Sequence, residues 1–169
     1  MRLPFLKKGV TGSEPLVVSM TGARLGDPVA FWGASPALAL PLAARVGLSG
    51  RALVVGPAAQ SIETAATREG ILVETAEGFP TDGSFDLAVV EATNGWVAAA
   101  SAALPSVRSG GRVIVVTGVL KTGLRALLSS APASAESADT VVATLTRVGW
   151  HRARAIGGRD GLTFVEASR

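Results

Sequence analysis

The chain has 169 residues, 48% of them hydrophobic and 17% charged, which suits one globular domain and excludes a disordered segment. It has no cysteine and a single histidine, His151, so a disulfide framework, a thiolate metal site and a histidine-rich metal site are all excluded, and no metal is expected. A formal charge of +3 is too small for a nucleic-acid footprint, and no nucleic-acid partner is expected.

No apolar run reaches the roughly 18 residues of a membrane span. The N-terminal MRLPFLKKG lacks the apolar core and cleavage site of a signal peptide, and the absence of cysteine fits a reducing cytoplasm, so a cytoplasmic protein is expected. Residues 1–12 read as a basic tail ahead of one domain over 13–169. The tail sets Leu3, Phe5 and Leu6 beside Arg2, Lys7 and Lys8, a pattern also compatible with peripheral membrane contact or docking to a partner.

In chain order, a helix is expected from near Ser13, a possible cap, with Pro15 in its first turn; it runs through Leu16, Val17, Val18 and Met20 and breaks near Gly26. A strand over 29–32 leads through Gly33, Ala34 and Ser35 to a helix that Ser35 caps and Pro36 opens. Pro41, one turn further in, should distort that helix. A second strand over 51–55 precedes a helix over 58–69 stopped by Gly70, and a third strand is expected over 71–74. After a loop of turn formers comes a fourth strand over 85–90, then a helix over 95–104 ended by Pro105. A turn at Ser109, Gly110 and Gly111 introduces a fifth strand over 112–117. A last helix covers 137–148, followed by strands over 151–156 and 162–167 joined through Asp160-Gly161, a strong hairpin signal. Alternating strands and helices predict a doubly wound, mostly parallel sheet of about seven strands in three layers. Runs such as LVV, LAVV and VIVV mark strands buried on both faces. The C-terminal antiparallel hairpin favours a methyltransferase-like sheet over a dehydrogenase-like one.

Three phrases carry a resemblance. TAEGFPTDGSFDLAVVEA (75–92) resembles "DAE-x-LPF-x-DGSFDLVV", LPSVRSGGRVIVVTG (104–118) resembles "L-x-RVLRPGGRLVV", and Gly149-Trp150 resembles the Gly-Phe that opens a final hairpin. These are phrases of class I S-adenosylmethionine-dependent methyltransferases of the small-molecule type typified by ubiquinone biosynthesis, and the match spans about 28–167. It implies that fold and a cofactor crevice formed by the segments around Gly33, Ser35, Gly56, Thr75, Ala76 and Glu77.

The family's polar anchors are missing at those positions. Where the family has "D-x-G-x-G-x-G", this chain reads FWGASPA: Phe31 stands in place of the acid, and of the three glycines only Gly33 is kept, Ser35 and Ala37 replacing the others. Gly56 stands where a carboxylate would hold the ribose diol, with Gln60 and Glu63 the nearest substitutes, and Thr75 stands where an Asp would bind the adenine amine. Bonds to charged groups are worth about 1.5–3 kcal/mol each, so three losses would move a micromolar ligand to millimolar or weaker. Phe31 and Trp32 are large enough to fill the crevice if either points inward. The resemblance and its departures together imply a methyltransferase-like domain that has lost normal S-adenosylmethionine binding. Such a domain serves as a binding or structural subunit, with no cofactor and with a protein partner or a second copy. The alternative is an active S-adenosylmethionine-dependent methyltransferase acting on a small molecule through divergent contacts.

If the chain is catalytic, Glu91 as base and Asn94 as orienting residue are the candidates, because both follow the fourth strand at the carboxyl end of the sheet; otherwise Asn94 caps the next helix and Glu91 is solvated. Ser35 sits between a strand and a helix as a nucleophile elbow would, but it lacks the G-x-S-x-G flanks. Gly33 alone cannot make a dinucleotide fingerprint. Arg147, Arg152, Arg154 and Arg159 read as a solvated face, and secondarily as a binding patch.

Overall fold

The computed structural model describes residues 15–118 and 136–169. Helices α1 (Leu16–Thr21), α2 (Pro36–Val46), α3 (Ala59–Glu69), α4 (Trp96–Ala103) and α5 (Ala138–Arg147) alternate with strands β1 (Pro28–Trp32), β2 (Arg51–Val55), β3 (Glu74–Ala76), β4 (Phe85–Glu91) and β5 (Val107–Gly118), and the chain closes with the hairpin β6 (His151–Arg159) and β7 (Leu162–Ser168). The seven strands form one sheet in the order β3-β2-β1-β4-β5-β7-β6. The first five are parallel, and β7 inserts antiparallel against β5. This is the doubly wound, mostly parallel sheet with a terminal hairpin that the sequence pattern predicts.

Burial on both faces follows from the strands' composition. Leu87 and Val89 of β4 face one way and pack with Val17 and Val18 of α1, Leu38 and Leu42 of α2 and Ile62 of α3. Ala88 and Val90 face the other way and pack with Trp96 and Ala100 of α4 and Val141 and Leu145 of α5. Period-two alternation in a fully apolar strand therefore feeds two cores at once.

Several boundaries differ from the sequence expectation. Ser13, the expected first cap, lies outside the described residues. Helix α1 stops at Thr21, well before Gly26, because Gly22 adopts the left-handed conformation (φ 63°) and its N–H closes onto the Val18 carbonyl. Helix α2 runs through Pro41 to Val46 without a break. The third strand is not 71–74. It begins at Glu74, where pairing with β2 starts (Leu53 opposite Glu74), while Ile71 and Val73 anchor the preceding loop to the core beneath α3. Strand β5 begins at Val107 and passes through the expected Ser109-Gly110-Gly111 turn. The register jumps there, from Phe85–Val107 to Leu87–Arg112, so the turn residues form an irregularity inside a longer strand. Glycine is needed at 111, since a Cβ would lie 2.5 Å from Val107 Cγ1 and 2.9 Å from the Asp86 carbonyl oxygen. The last helix has the expected N-cap, with the Ser137 hydroxyl accepting the Thr140 N–H.

Trp150, just ahead of β6, is 1% exposed, and its indole N–H donates to the Ala100 carbonyl at 2.9 Å, tying the start of the hairpin to α4. Trp150→Ala is expected to cost about 3–5 kcal/mol, a large part of the roughly 5–15 kcal/mol of a typical domain. Urea unfolding followed by circular dichroism would measure the loss, and a midpoint unchanged from the parent chain would contradict this packing.

Candidate functional site

The carboxyl ends of β1, β2, β3 and β4 meet at one edge of the sheet, where a doubly wound fold places its crevice. The predicted site residues collect there: Gly33 and Ser35 between β1 and α2, Gly56 after β2, Thr75, Ala76 and Glu77 at the end of β3, and Glu91 and Asn94 at and beyond the end of β4.

Alternation along β1 decides what fills this edge. Phe31 turns into the core beneath α2 and is 3% exposed. Trp32 turns to the other face and packs with Val55, Phe79 and Trp96. Its ring lies across the end of the sheet: a Cβ on Gly56 would sit 2.5 Å from Trp32 Nε1, and one on Gly95 would sit 3.6 Å from Trp32 Cζ2. Gly56 (φ 98°) thus accommodates the indole as well as a backbone turn that side chains avoid.

Glu91 is half-buried and held by the backbone of the turn after β1. One carboxylate oxygen, Oε2, accepts the backbone N–H of Ala34 at 2.7 Å and of Ser35 at 3.0 Å. Helix α2 has no acidic residue in its first turn and no side-chain bond from its N-cap, Ser35, and a carboxylate 56 residues away in sequence supplies the negative charge at this helix start. Gly33, buried between them, leaves room for this approach: a Cβ there would meet Glu91 Oε2 at 2.5 Å and Phe31 Cζ at 2.9 Å.

The other candidates are less engaged. Asn94 is exposed and does not cap α4, whose N-cap is Gly95 with no side-chain bond. Thr75 and Glu77 are exposed at the sheet-edge strand, and the Ala76 carbonyl accepts the Gly56 N–H at 3.3 Å. Gln60 and Glu63 are occupied with each other, Nε2 to Oε2 at 2.9 Å. His151 begins β6 opposite Ser168, at the end of the sheet far from Ser35, so the two cannot form a nucleophile–base pair. The late arginines are spread among local partners: Arg154 with Glu166 at 3.0 Å, Arg159 with Asp160 at 3.7 Å, and Arg147 with the Thr144 hydroxyl at 3.4 Å. Among the described residues, no cluster of three or more His, Cys, Asp or Glu could hold a metal. Nor is any helix among them long and apolar enough to cross a membrane.

No protein-family model matches the chain, and no curated protein matches it. Solved structures do. A SAM-dependent methyltransferase from Aquifex aeolicus superposes with a TM-score of 0.70 at 15% identity, covering 92% of this chain and 88% of that one. PigF, solved with SAH, gives 0.62 at 14%, covering 92% of this chain and 54% of that one. The [4+2]-cyclase SpnF gives 0.65 at 13%, covering 91% and 79%. The chain therefore has the class I methyltransferase fold. It spans most of the Aquifex chain and about half of PigF.

Sequence reasoning placed Glu91 at the crevice but missed its partners. The available signal was a helix N-terminus with no acid of its own. Glu91→Ala should lower stability by about 1.5–3 kcal/mol, as for other hydrogen bonds to a charged group. For a chain of this size that is a fall in Tm of about 4–8 °C. Differential scanning calorimetry of the variant would show it, and an unshifted Tm would mean that the contact contributes nothing in solution.

Proposed function

We propose that this chain is a methyltransferase-fold domain that has given up ordinary S-adenosylmethionine binding and acts as a binding or structural subunit, with a protein or a second copy of itself as partner. The observation that carries this reading is the Glu91 carboxylate on the Ala34 and Ser35 amides. In the family resemblance, this turn and helix start receive the methionine part of the cofactor; here the chain satisfies those donors itself. A ligand entering there must first displace Glu91. Losing about 1.5–3 kcal/mol of bonding weakens its affinity roughly ten- to a hundredfold.

The rest of the crevice supports the same reading. The Trp32 indole lies against Gly56, where the family's ribose-binding carboxylate would stand, and an Asp introduced there would run into the ring. Phe31 replaces the acid of β1 and is turned into the core. The donors and acceptors present do not match those of the cofactor. Fold alone does not decide the chemistry, since the fold is shared with a protein described as a [4+2]-cyclase as well as with SAM-dependent methyltransferases.

The direct test is thermal unfolding with millimolar S-adenosylmethionine and, separately, S-adenosylhomocysteine. A ligand at 100 times its Kd stabilises by about 2.7 kcal/mol, which in a chain this size raises Tm by roughly 5–10 °C. No shift is expected with either compound. A shift of that size would overturn the proposal in favour of an active methyltransferase with divergent contacts.

A further inference from the structure

The end of the sheet opposite the crevice carries features that the crevice does not use. The loops leading into β1, β2 and β3 each hold an exposed leucine: Leu25 is 70%, Leu48 87% and Leu72 69% exposed. These strands are neighbours in the order β3-β2-β1, spaced about 4.8 Å apart, so the three leucines stand on adjacent loops at one end of the sheet, an apolar ridge. Leu25 reaches the loop that carries Leu48, since a Cβ on Gly47 would lie 2.8 Å from Leu25 Cδ1.

Beside the ridge, under β1, β4 and β5, lies a cleft of about 220 Å³ whose charged lining is Arg24, Arg108 and Arg112 with Asp27 and Asp86. Both acids are engaged within the cleft itself. Asp86 pairs with Arg108, and Asp27 Oδ2 accepts the Arg24 backbone N–H at 2.8 Å. The Arg24 side chain forms no ion pair among the described residues. Arg112 donates through Nη2 to the Thr21 carbonyl at 2.6 Å and stands 3.7 Å from Glu166, while its Nε is buried without a hydrogen bond. Arg45, Arg51 and Arg68 flank the ridge, Arg51 paired with Glu74, and Arg147, Arg152 and Arg169 continue the basic end beneath β6 and β7. The acids at this end are Asp27, Glu69, Glu74, Asp82 and Asp86, with Glu166 beside Arg112, and arginines outnumber them among the described residues. At the crevice end the balance reverses, with Glu77, Glu91, Glu136, Asp139 and Asp160 against Arg159 among the described residues.

We propose that this arginine- and leucine-bearing end of the sheet is a docking face for an anionic lipid surface, with the leucine ridge entering the headgroup–acyl boundary and the arginine-lined cleft receiving a lipid phosphate. Charge and shape both select this occupant. A second copy bound through the same patch would oppose two basic faces. A protein partner would need a pocket for each leucine, because side chains 69–87% exposed are knobs, not the floor of a groove. A fluid interface accepts knobs without preformed pockets, and its anionic headgroups complement the arginines.

Sedimentation of the full chain with vesicles tests this. One set contains phosphatidylcholine alone, and the other contains phosphatidylcholine mixed with phosphatidylglycerol. Binding is expected to the anionic vesicles, at least about tenfold stronger than to the neutral ones, and weakened by salt as the Debye length shrinks. The triple variant Leu25→Ser, Leu48→Ser and Leu72→Ser should lose about tenfold or more of that binding, and Arg24→Glu should also reduce it. These side chains are exposed, so both variants should melt as the parent does, and both keep the N-terminal tail. Inorganic phosphate at matched ionic strength should compete only weakly, because the ridge needs an acyl boundary to enter. Absence of binding to either vesicle would overturn the proposal, as would equal binding to both. Anionic binding fully retained by the triple variant would assign it to another part of the chain and overturn it too. So would self-association that the triple variant abolishes, appearing in place of vesicle binding.

Discussion

Strand β1 is hydrogen-bonded on both edges, to β2 and to β4, and covered on both faces, so its residues have only two directions in which to point. That constraint sets the character of the whole crevice. Phe31 goes to the face of α1–α3 and becomes core. Trp32 goes to the other face and, as the last residue of the strand, projects across the carboxyl ends of its neighbours. Gly33 comes next and must be small, because the Phe31 ring and the Glu91 side chain converge on it. A single apolar strand thereby fixes a plug, a core residue and a tight turn within three positions.

Helix α2 shows how the same edge is completed electrostatically. Its first turn has no acidic residue, and the N–H groups of Ala34 and Ser35 just ahead of it need an acceptor. Leaving such groups unsatisfied is costly, and a carboxylate is their best partner. Strand β4 provides one at its last position, so the contact joins two elements that are distant in sequence but share a sheet edge. A fold that binds a charged ligand at this place would leave these donors open to it. Here Glu91, the residue that looks most like a catalytic base, is the acceptor for the Ala34 and Ser35 N–H groups.

The two ends of the sheet have diverged in character. The crevice end is plugged with a tryptophan, and its charged side chains among the described residues are mostly acids. The opposite end is open, basic and tipped with leucines. Doubly wound folds ordinarily keep their chemistry at the carboxyl end of the strands and leave the other end to stability. In this chain the other end holds Arg24, which has no ion pair among the described residues, together with three exposed leucines and the polar cleft.

The sequence by itself determined the architecture, because apolar runs, caps and the Asp-Gly turn are local signals. Strand β2 is where the pattern put it, α5 has its Ser137 cap, and the hairpin closes at Asp160-Gly161. The positions that the family resemblance singles out, Phe31, Gly56 and Thr75, lie at or next to the carboxyl ends of adjacent strands. Tertiary structure decided the rest. Edge pairing with β2 placed β3 at Glu74–Ala76, although the apolar residues precede it. Pairing with β4 carried β5 through a turn-like Ser-Gly-Gly. The partner of Glu91 lies 56 and 57 residues away, the contact of Trp32 with Gly56 spans two strands, and the leucine ridge joins three separate loops. These depend on which strands become neighbours, a property of the assembled sheet that no local stretch of sequence contains.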